Sequence, residues 1–414
     1  MSEFSCYPRR AEIMPRREPP PEPDTVSRDP QTGEFQLNYV AKPNGTAGPQ
    51  ASGNQDSNTN YRPKAETRAL SGRHRASRVK PFKGLITSAD FLKRMGPPDY
   101  VIEGLILAGC AYTLTGVTGH GKTLIALLKA IQTAQGEWFC GRKCRKGKVA
   151  FFAGENPDNV RVQYYSMCAD LGIDPPANIL WHDGKFTISE YKAEVAKVLA
   201  ANDDLVLCIF DSLQAFFEGD DDNSNMEMYD LAVSIRELTE AHPARPASLI
   251  IAHPIKNAGR ESLLPRGGSS ILNELDGNFA AWCDETTNTV ELHWQGKFRG
   301  APFDPVKLEL VLIKPEGLVD ARGDQMPCKI IRPLGPQREA EKRAASNDRL
   351  INLLALLRDD PSISQEAAAL ALGVGRSTVQ RDIKALKKDG LVRQYPNGYK
   401  LTKQGEIALE MAGK

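Results

Sequence analysis

AYTLTGVTGHGKTLIALLKAIQTA, residues 111–134, carries the reading that decides the fold. A β-prone run, AYTLTG, leads into a turn with glycines at Gly116, Gly119 and Gly121, and a run of helix formers, LIALLKAIQTA, follows. Glycines at that spacing let backbone N–H groups approach an anion closely, and the following helix points its N-terminus at the same place. The eight residues Gly116, Val117, Thr118, Gly119, His120, Gly121, Lys122 and Thr123 fit the pattern G-x-x-x-x-G-K-T in full. This spacing serves the phosphates of a nucleotide. Lys122 would reach the β- and γ-phosphates of ATP, and the Thr123 hydroxyl would ligate Mg²⁺.

Outward from this loop, short apolar runs alternate with amphipathic stretches. KVAFFAG precedes a helical pattern through Tyr164, and NILWHDG precedes one near Tyr191–Ala201. LVLCIFD comes before a helix from about Met226 to Ala241, and SLIIAH follows it. Such alternation predicts an α/β fold with a mostly parallel sheet covered on both faces. From Gly277 the pattern is strand-rich (FAAWCDE, TVELHWQGK, KLELVLIK, CKIIRPL), which predicts antiparallel strands extending one sheet edge.

Strand ends nominate the remaining chemistry. LVLCIFD closes on Asp211, a carboxylate that wants a cation at the end of a buried strand and so joins Thr123 as a Mg²⁺ ligand, or else simply caps the strand end onto Ser212 and the following turn. Glu155, after KVAFFAG, can orient the water that attacks the γ-phosphate, or it can simply cap the helix that follows. His253, after SLIIA, stands where a γ-phosphate sensor would, and equally where a structural histidine would. Lys297 and Arg299 lie two apart in QGKFRG, so on a strand both can face one site, or one solvated face.

The flanks differ in composition. Residues 1–85 include PRREPPPEPD and NGTAGPQASGNQDSNTN and read as disordered. The end of this region holds eight Lys or Arg between Arg62 and Lys83 against one Glu66, a nucleic-acid-attracting arm or a solvated linker. Residues 86–335 form the expected ATPase domain, 336–347 a linker with room for some helix, and 348–414 a small module of three helices and a hairpin. In that module ISQEAAALALGVG and RSTVQRDIKALKKDG make a helix-turn-helix pattern, with Ser377 as a candidate cap of the second helix. Val379, Ile383 and Leu386 recur at helical spacing, and the opposite face offers Arg376, Thr378, Gln380, Arg381 and Lys384. Eight basic residues against two Asp between Gly375 and Lys403 suit duplex DNA, with use as a protein–protein module the other reading. The net charge of +1 hides these two clusters. The eight scattered cysteines fit a reducing cytoplasm better than disulfides or a zinc site, and no apolar run is long enough to span a membrane.

Taken together, residues 86–333 resemble the RecA/DnaB superfamily, most closely the RepA-like hexameric helicase branch of AAA-type ATPases. KVAFFAGENPDNVR is similar to the motif whose Glu is the catalytic base, which implies that role for Glu155 and a place beside the nucleotide for Arg161. FDSLQAFFEGDDDNSN resembles the metal-binding strand and its acidic loop. IIAHPIKNAGRESLLPRGGSSILNELDG resembles the motif that couples nucleotide state to a loop facing single-stranded DNA, here with Lys256, Arg260 and Arg266. QGKFRG is similar to paired basic fingers that complete the ATP site of an adjacent subunit, which implies a homo-oligomer, a ring and in this branch a hexamer. The C-terminal module looks like a winged helix-turn-helix. The resemblance thus implies an ATP- and Mg²⁺-dependent ATPase on DNA, a replicative helicase of phage, prophage or plasmid. An ATP-switched DNA-binding regulator and a helicase loader without unwinding activity are the alternatives.

Overall fold

In the computed structural model the chain is described at residues 25–28, 35–38, 84–93, 95–217 and 225–414. The first 85 residues form a unit of their own, in which Thr25–Arg28 and Phe35–Asn38 pair as antiparallel strands. The disordered reading of residues 1–85 and the basic run 62–83 otherwise lie outside the described residues. The same holds for residues 218–224 of the acidic loop.

The second unit, Ile86–Lys414, is built on a nine-stranded sheet. Its strands are β1 (Ala111–Gly116), β2 (Lys148–Ala153), β3 (Ile179–Asp183), β4 (Leu205–Asp211), β5 (Ala247–Ala252), β6 (Gly277–Asp284), β7 (Thr289–Phe298), β8 (Val306–Ile313) and β9 (Cys328–Pro333). Their order is β9-β8-β7-β6-β1-β5-β4-β2-β3. The pairs from β3 across to β6 are all parallel, and β7, β8 and β9 are antiparallel additions beyond β6. The expected antiparallel edge therefore begins one strand later than the sequence pattern suggested: β6 runs parallel to β1. A buried polar cluster marks that junction. The hydroxyls of Thr113 and Thr115 donate to Asn278 Oδ1 at 2.8 and 2.7 Å, so a polar residue inside an apolar strand is fully partnered.

Helices α1 (Lys122–Gln135), α2 (Pro157–Leu171), α3 (Ile188–Ala200), α4 (Asn225–Ala241) and α5 (Gly268–Glu274) connect the strands and cover them. The central parallel strands are buried over almost their whole length, and LVLCIFD of β4 is buried at all seven positions, while the edge strand β3 is exposed over its last three residues. Two apolar clusters result, one on each face; Phe151 and Ile209 sit in the first, Phe210 and Ile235 in the second. Each such aliphatic or aromatic side chain contributes about 1.5–3 kcal/mol on leaving water.

One charge lies inside the first layer. Lys129 of α1 is fully buried, its Nζ has no hydrogen-bond partner, and it lies 4.1 Å from the Phe279 ring centroid. Burial lowers its ammonium to about 7. The unfolded chain holds this proton up to the ordinary lysine value, so between pH 7 and 10 the unfolded state binds more protons and stability rises with pH. Lys129→Met keeps the volume and deletes the proton. Melting temperatures of both proteins across that range should show the wild type gaining on the variant as pH rises. A constant difference would refute the assignment.

The C-terminal module comprises α6 (Pro336–Asp359), α7 (Gln365–Leu372), α8 (Arg376–Lys388), β10 (Val392–Tyr395), β11 (Gly398–Leu401) and α9 (Lys403–Met411). The stretch 336–347, expected as a linker, is the first half of the continuous helix α6. Arg338 and Lys342 fix it to the buried Glu309 of β8 at 3.1 and 2.9 Å. Ser377 does not cap α8: that helix starts at Arg376 with Gly375 as its N-cap, which leaves Ser377 inside the first turn. Val379, Ile383 and Leu386 point inward as expected and join Leu353, Leu354 and Leu357 of α6 in a third apolar cluster. Asp382, on the buried side of α8, is satisfied by Arg349 at 2.6 Å. No helix among the described residues is long and apolar enough to cross a membrane.

Candidate active site

The C-terminal ends of β1, β2, β4 and β5 meet at one edge of the sheet, where open parallel sheets place their ligands. The loop Gly116–Thr123 leaves β1 there and opens α1. Two of its glycines are required by the geometry. A Cβ on Gly116 would lie 2.7 Å from the Ala281 carbonyl oxygen, and Gly121 has φ +80°. Between them Gly119 also adopts φ +86°, and Thr118 is exposed beside it. Lys122 is buried and donates from Nζ to the carbonyls of Gly116 (2.7 Å) and Val117 (3.3 Å). Burial lowers its ammonium to about 8, with Asp211 and Glu155 opposing.

Asp211 closes β4 at 4% exposure, close enough to the Thr123 hydroxyl to feel its pull. Burial pushes its carboxyl up to about 6, against the pull of Thr123. A buried carboxylate paired with one hydroxyl is a donor set suited to Mg²⁺, which takes a few protein oxygens and fills its octahedron with water and phosphate oxygens. A bound Mg²⁺ would supply the positive charge that shields the phosphates; Thr123 and Asp211 would hold it.

Glu155 follows β2 and is tied to β4 by its own N–H donating to the Asp211 carbonyl at 3.2 Å. His253 Nε2 stands 3.8 Å from Glu155 Oε2, an ion-pair distance rather than a hydrogen bond. The imidazole holds the Glu155 carboxyl down to about 2, with burial opposing and Ser212 assisting. Glu155 is thus an ionised carboxylate at the mouth of the phosphate loop, and the helix-capping duty falls instead to Asn156, whose side chain accepts from Asn159 N–H. The sequence offered Ser212 only as a residue for Asp211 to cap, not as a partner of Glu155. The position of Ser212 directly after the strand-end acid was the available signal.

Arg161, in the second turn of α2, pairs with Asp158 and with Asp183 at the C-terminal end of β3, beside the end of β2. Other expected residues lie elsewhere. Lys297 and Arg299 are at the opposite end of the sheet, since β7 runs antiparallel and its last residue, Phe298, faces Gly277 at the start of β6. Lys297 donates to the carbonyls of Leu272 and Asn273 at the end of α5, and Arg299 pairs with the buried Asp276 at 2.7 Å. Neither joins Lys122, Asp211 and Glu155 within the chain. Arg260 pairs with Glu291 at 2.6 Å, and the Arg266 N–H donates to the His253 carbonyl. On α8, Arg376 pairs with Glu366 and Gln380 is exposed, while Thr378 accepts from Arg381. Arg381 and Lys384 reach the turn between β6 and β7.

With a glycine loop, a buried lysine and a strand-end acid assembled at one edge, the family comparison can be placed on this geometry. Residues 74–259 match the AAA domain family. The chain carries a P-loop ATPase domain. This AAA match spans β1 to β5 with the phosphate loop, Glu155, Asp211 and His253, and ends before the antiparallel strands. Beyond the AAA domain, residues 337–413 match the HVO_A0261 N-terminal domain, which coincides with α6–α9 and includes the stretch expected as a linker. No curated protein matches the chain.

Proposed function

We propose that this chain couples ATP hydrolysis to action on DNA, as a RepA-like replicative helicase of phage, prophage or plasmid. What supports the reading is that Glu155 and His253 stand 3.8 Å apart at the edge that carries the phosphate loop, and that the same chain carries helices α7 and α8, the second with a basic face. In this mechanism Lys122 neutralises the β- and γ-phosphates, and Thr123 and Asp211 hold Mg²⁺. Glu155 orients water and takes its proton, and His253 follows the charge on Glu155. Lys297 and Arg299, remote from their own loop, suit a contact with the nucleotide of a neighbouring copy. In that case a homo-oligomer, in this branch a hexameric ring, completes each site. Single-stranded DNA would run through the core and duplex would meet α8, placing the protein in the cytoplasm where replication occurs.

A second reading has its own support. Arg381 and Lys384 are held by the ATPase domain, as suits a regulator whose ATP state governs access to DNA, without strand separation. ATP turnover measured without DNA, with single strands and with duplex separates the two. A strong rise with single strands supports the motor. Turnover indifferent to single strands, with duplex still bound, would replace it by the regulator.

A further inference from the structure

The turn joining β6 to β7, residues 284–288, is gripped by three cations of the C-terminal module. Arg349 of α6 donates to the Thr286 carbonyl at 2.9 Å. Arg381 of α8 donates to the Glu285 carbonyl at 2.7 Å and to Asn288 Oδ1 at 2.8 Å, and Lys384 stands 3.5 Å from the Glu285 carboxylate. Each of these contacts is polar. The module's apolar residues cluster among themselves and none belongs to either apolar layer of the sheet, so the contact can open without stripping a shared core. Between the two surfaces lies a cavity of about 850 Å³, lined by charged and polar side chains including Arg343, Arg381, Lys384 and Glu285.

The same cavity reaches the phosphate loop, because His120 lines it too. His120 Nδ1 accepts from Cys283 N–H at 3.2 Å, and its ring meets Trp282 edge-on with centroids 5.0 Å apart. Cys283 and Trp282 are the residues from which the gripped turn departs. The loop, meanwhile, is closed on itself: His120 N–H donates to the Val117 carbonyl, and Lys122 folds onto the Gly116 and Val117 carbonyls. Phosphates on this loop would draw those N–H groups and the ammonium away from these carbonyls, and His120 would shift against Trp282.

We propose that the C-terminal module is a latch on the ATPase domain, closed by the turn 284–288 on the basic face of α8 and loosened from the phosphate loop through His120 and Trp282. Arg381 and Lys384 cannot hold the turn and a DNA phosphate at once, so duplex binding requires the latch to open. This part rests on the reading of α8 as a DNA-binding face. Linkage is reciprocal: if nucleotide loosens the latch, an opened latch binds nucleotide more tightly by the same factor.

The test uses the full chain, a labelled mixed-sequence duplex at low salt, and a non-hydrolysable ATP analogue with Mg²⁺. The opening variant is Glu285→Lys with Asn288→Gly; glycine suits the φ of +52° at position 288. It should bind duplex about tenfold more tightly than wild type, since a repelled contact frees two phosphate-binding cations. The analogue should tighten duplex binding by wild type about fivefold or more, within the usual range of coupling between sites. It should add little to the opened variant, and Trp282→Ala should bind the analogue yet lose the effect. The opened variant should also bind the analogue more tightly with no DNA present. Equal duplex binding by wild type and opened chain, both weakened by Arg381→Ala with Lys384→Ala, would overturn the latch and leave the DNA face standing. Duplex bound by no chain would remove the DNA face. The latch then stands if the opened chain binds analogue more tightly, and falls if the two affinities are equal.

Discussion

Lys122→Ala is expected to abolish ATP turnover, with a loss of at least ~10²–10³-fold, the range for removing one preorganised group that stabilises transition-state charge. The charged groups that act on Lys122 are the carboxylates of Asp211 and Glu155, which without it would meet the phosphates as negative charge. The fold should survive. Lys122 is a buried amine whose charged form burial already disfavours, and its two partners are carbonyls of the loop itself. Phosphate release alongside a melting curve checks both statements. Turnover at the wild-type rate in a folded variant would sink the assignment of this loop.

Glu155→Gln should lower turnover by about 10²–10⁴-fold, the usual contribution of a general base, while nucleotide binding is retained. Glutamine keeps the shape and can still meet Ser212, but it cannot accept a proton from water. Binding of a fluorescent ATP analogue and single-turnover hydrolysis separate the two effects. Loss of binding equal to loss of turnover would return Glu155 to a structural role. The acid limb of the wild-type pH profile gives a second discriminator. Glu155 is held down to about 2 and stays ionised through the whole working range. Asp211 is pushed up to about 6, so it takes a proton as pH falls through that value and loses its hold on Mg²⁺. An acid limb near or below pH 6 that retreats as Mg²⁺ is raised therefore belongs to Asp211.

The sequence exposed most of the ATPase fold because the central parallel strands β2, β4 and β5 are buried almost throughout and so read as apolar runs with a polar residue at the end. LVLCIFD, SLIIAH and KVAFFAGE announced Asp211, His253 and Glu155 in this way. Direction was less legible. β6 looks like its antiparallel neighbours in composition, and what pairs it parallel to β1 is a long-range contact of Asn278 with Thr113 and Thr115. Likewise GPQREAEKRAASND lacks an apolar stripe and resembled a linker, yet Glu309 gives two of its cations a buried partner and the segment is helix. The basic face of α8 was visible as spacing. That Arg381 and Lys384 meet the turn 284–288 was not, because the turn is nearly a hundred positions away in sequence.

Helix α6 spans 24 residues without a break, roughly 36 Å at 1.5 Å per residue. Its foot is clamped to β8 and its far half carries the apolar core of the module. The module is therefore mounted on a strut rather than slung on a tether. With the latch closed, copies of this chain brought together would hold their C-terminal heads at one common offset from their ATPase domains, and the spacing between heads would be inherited from the spacing between cores.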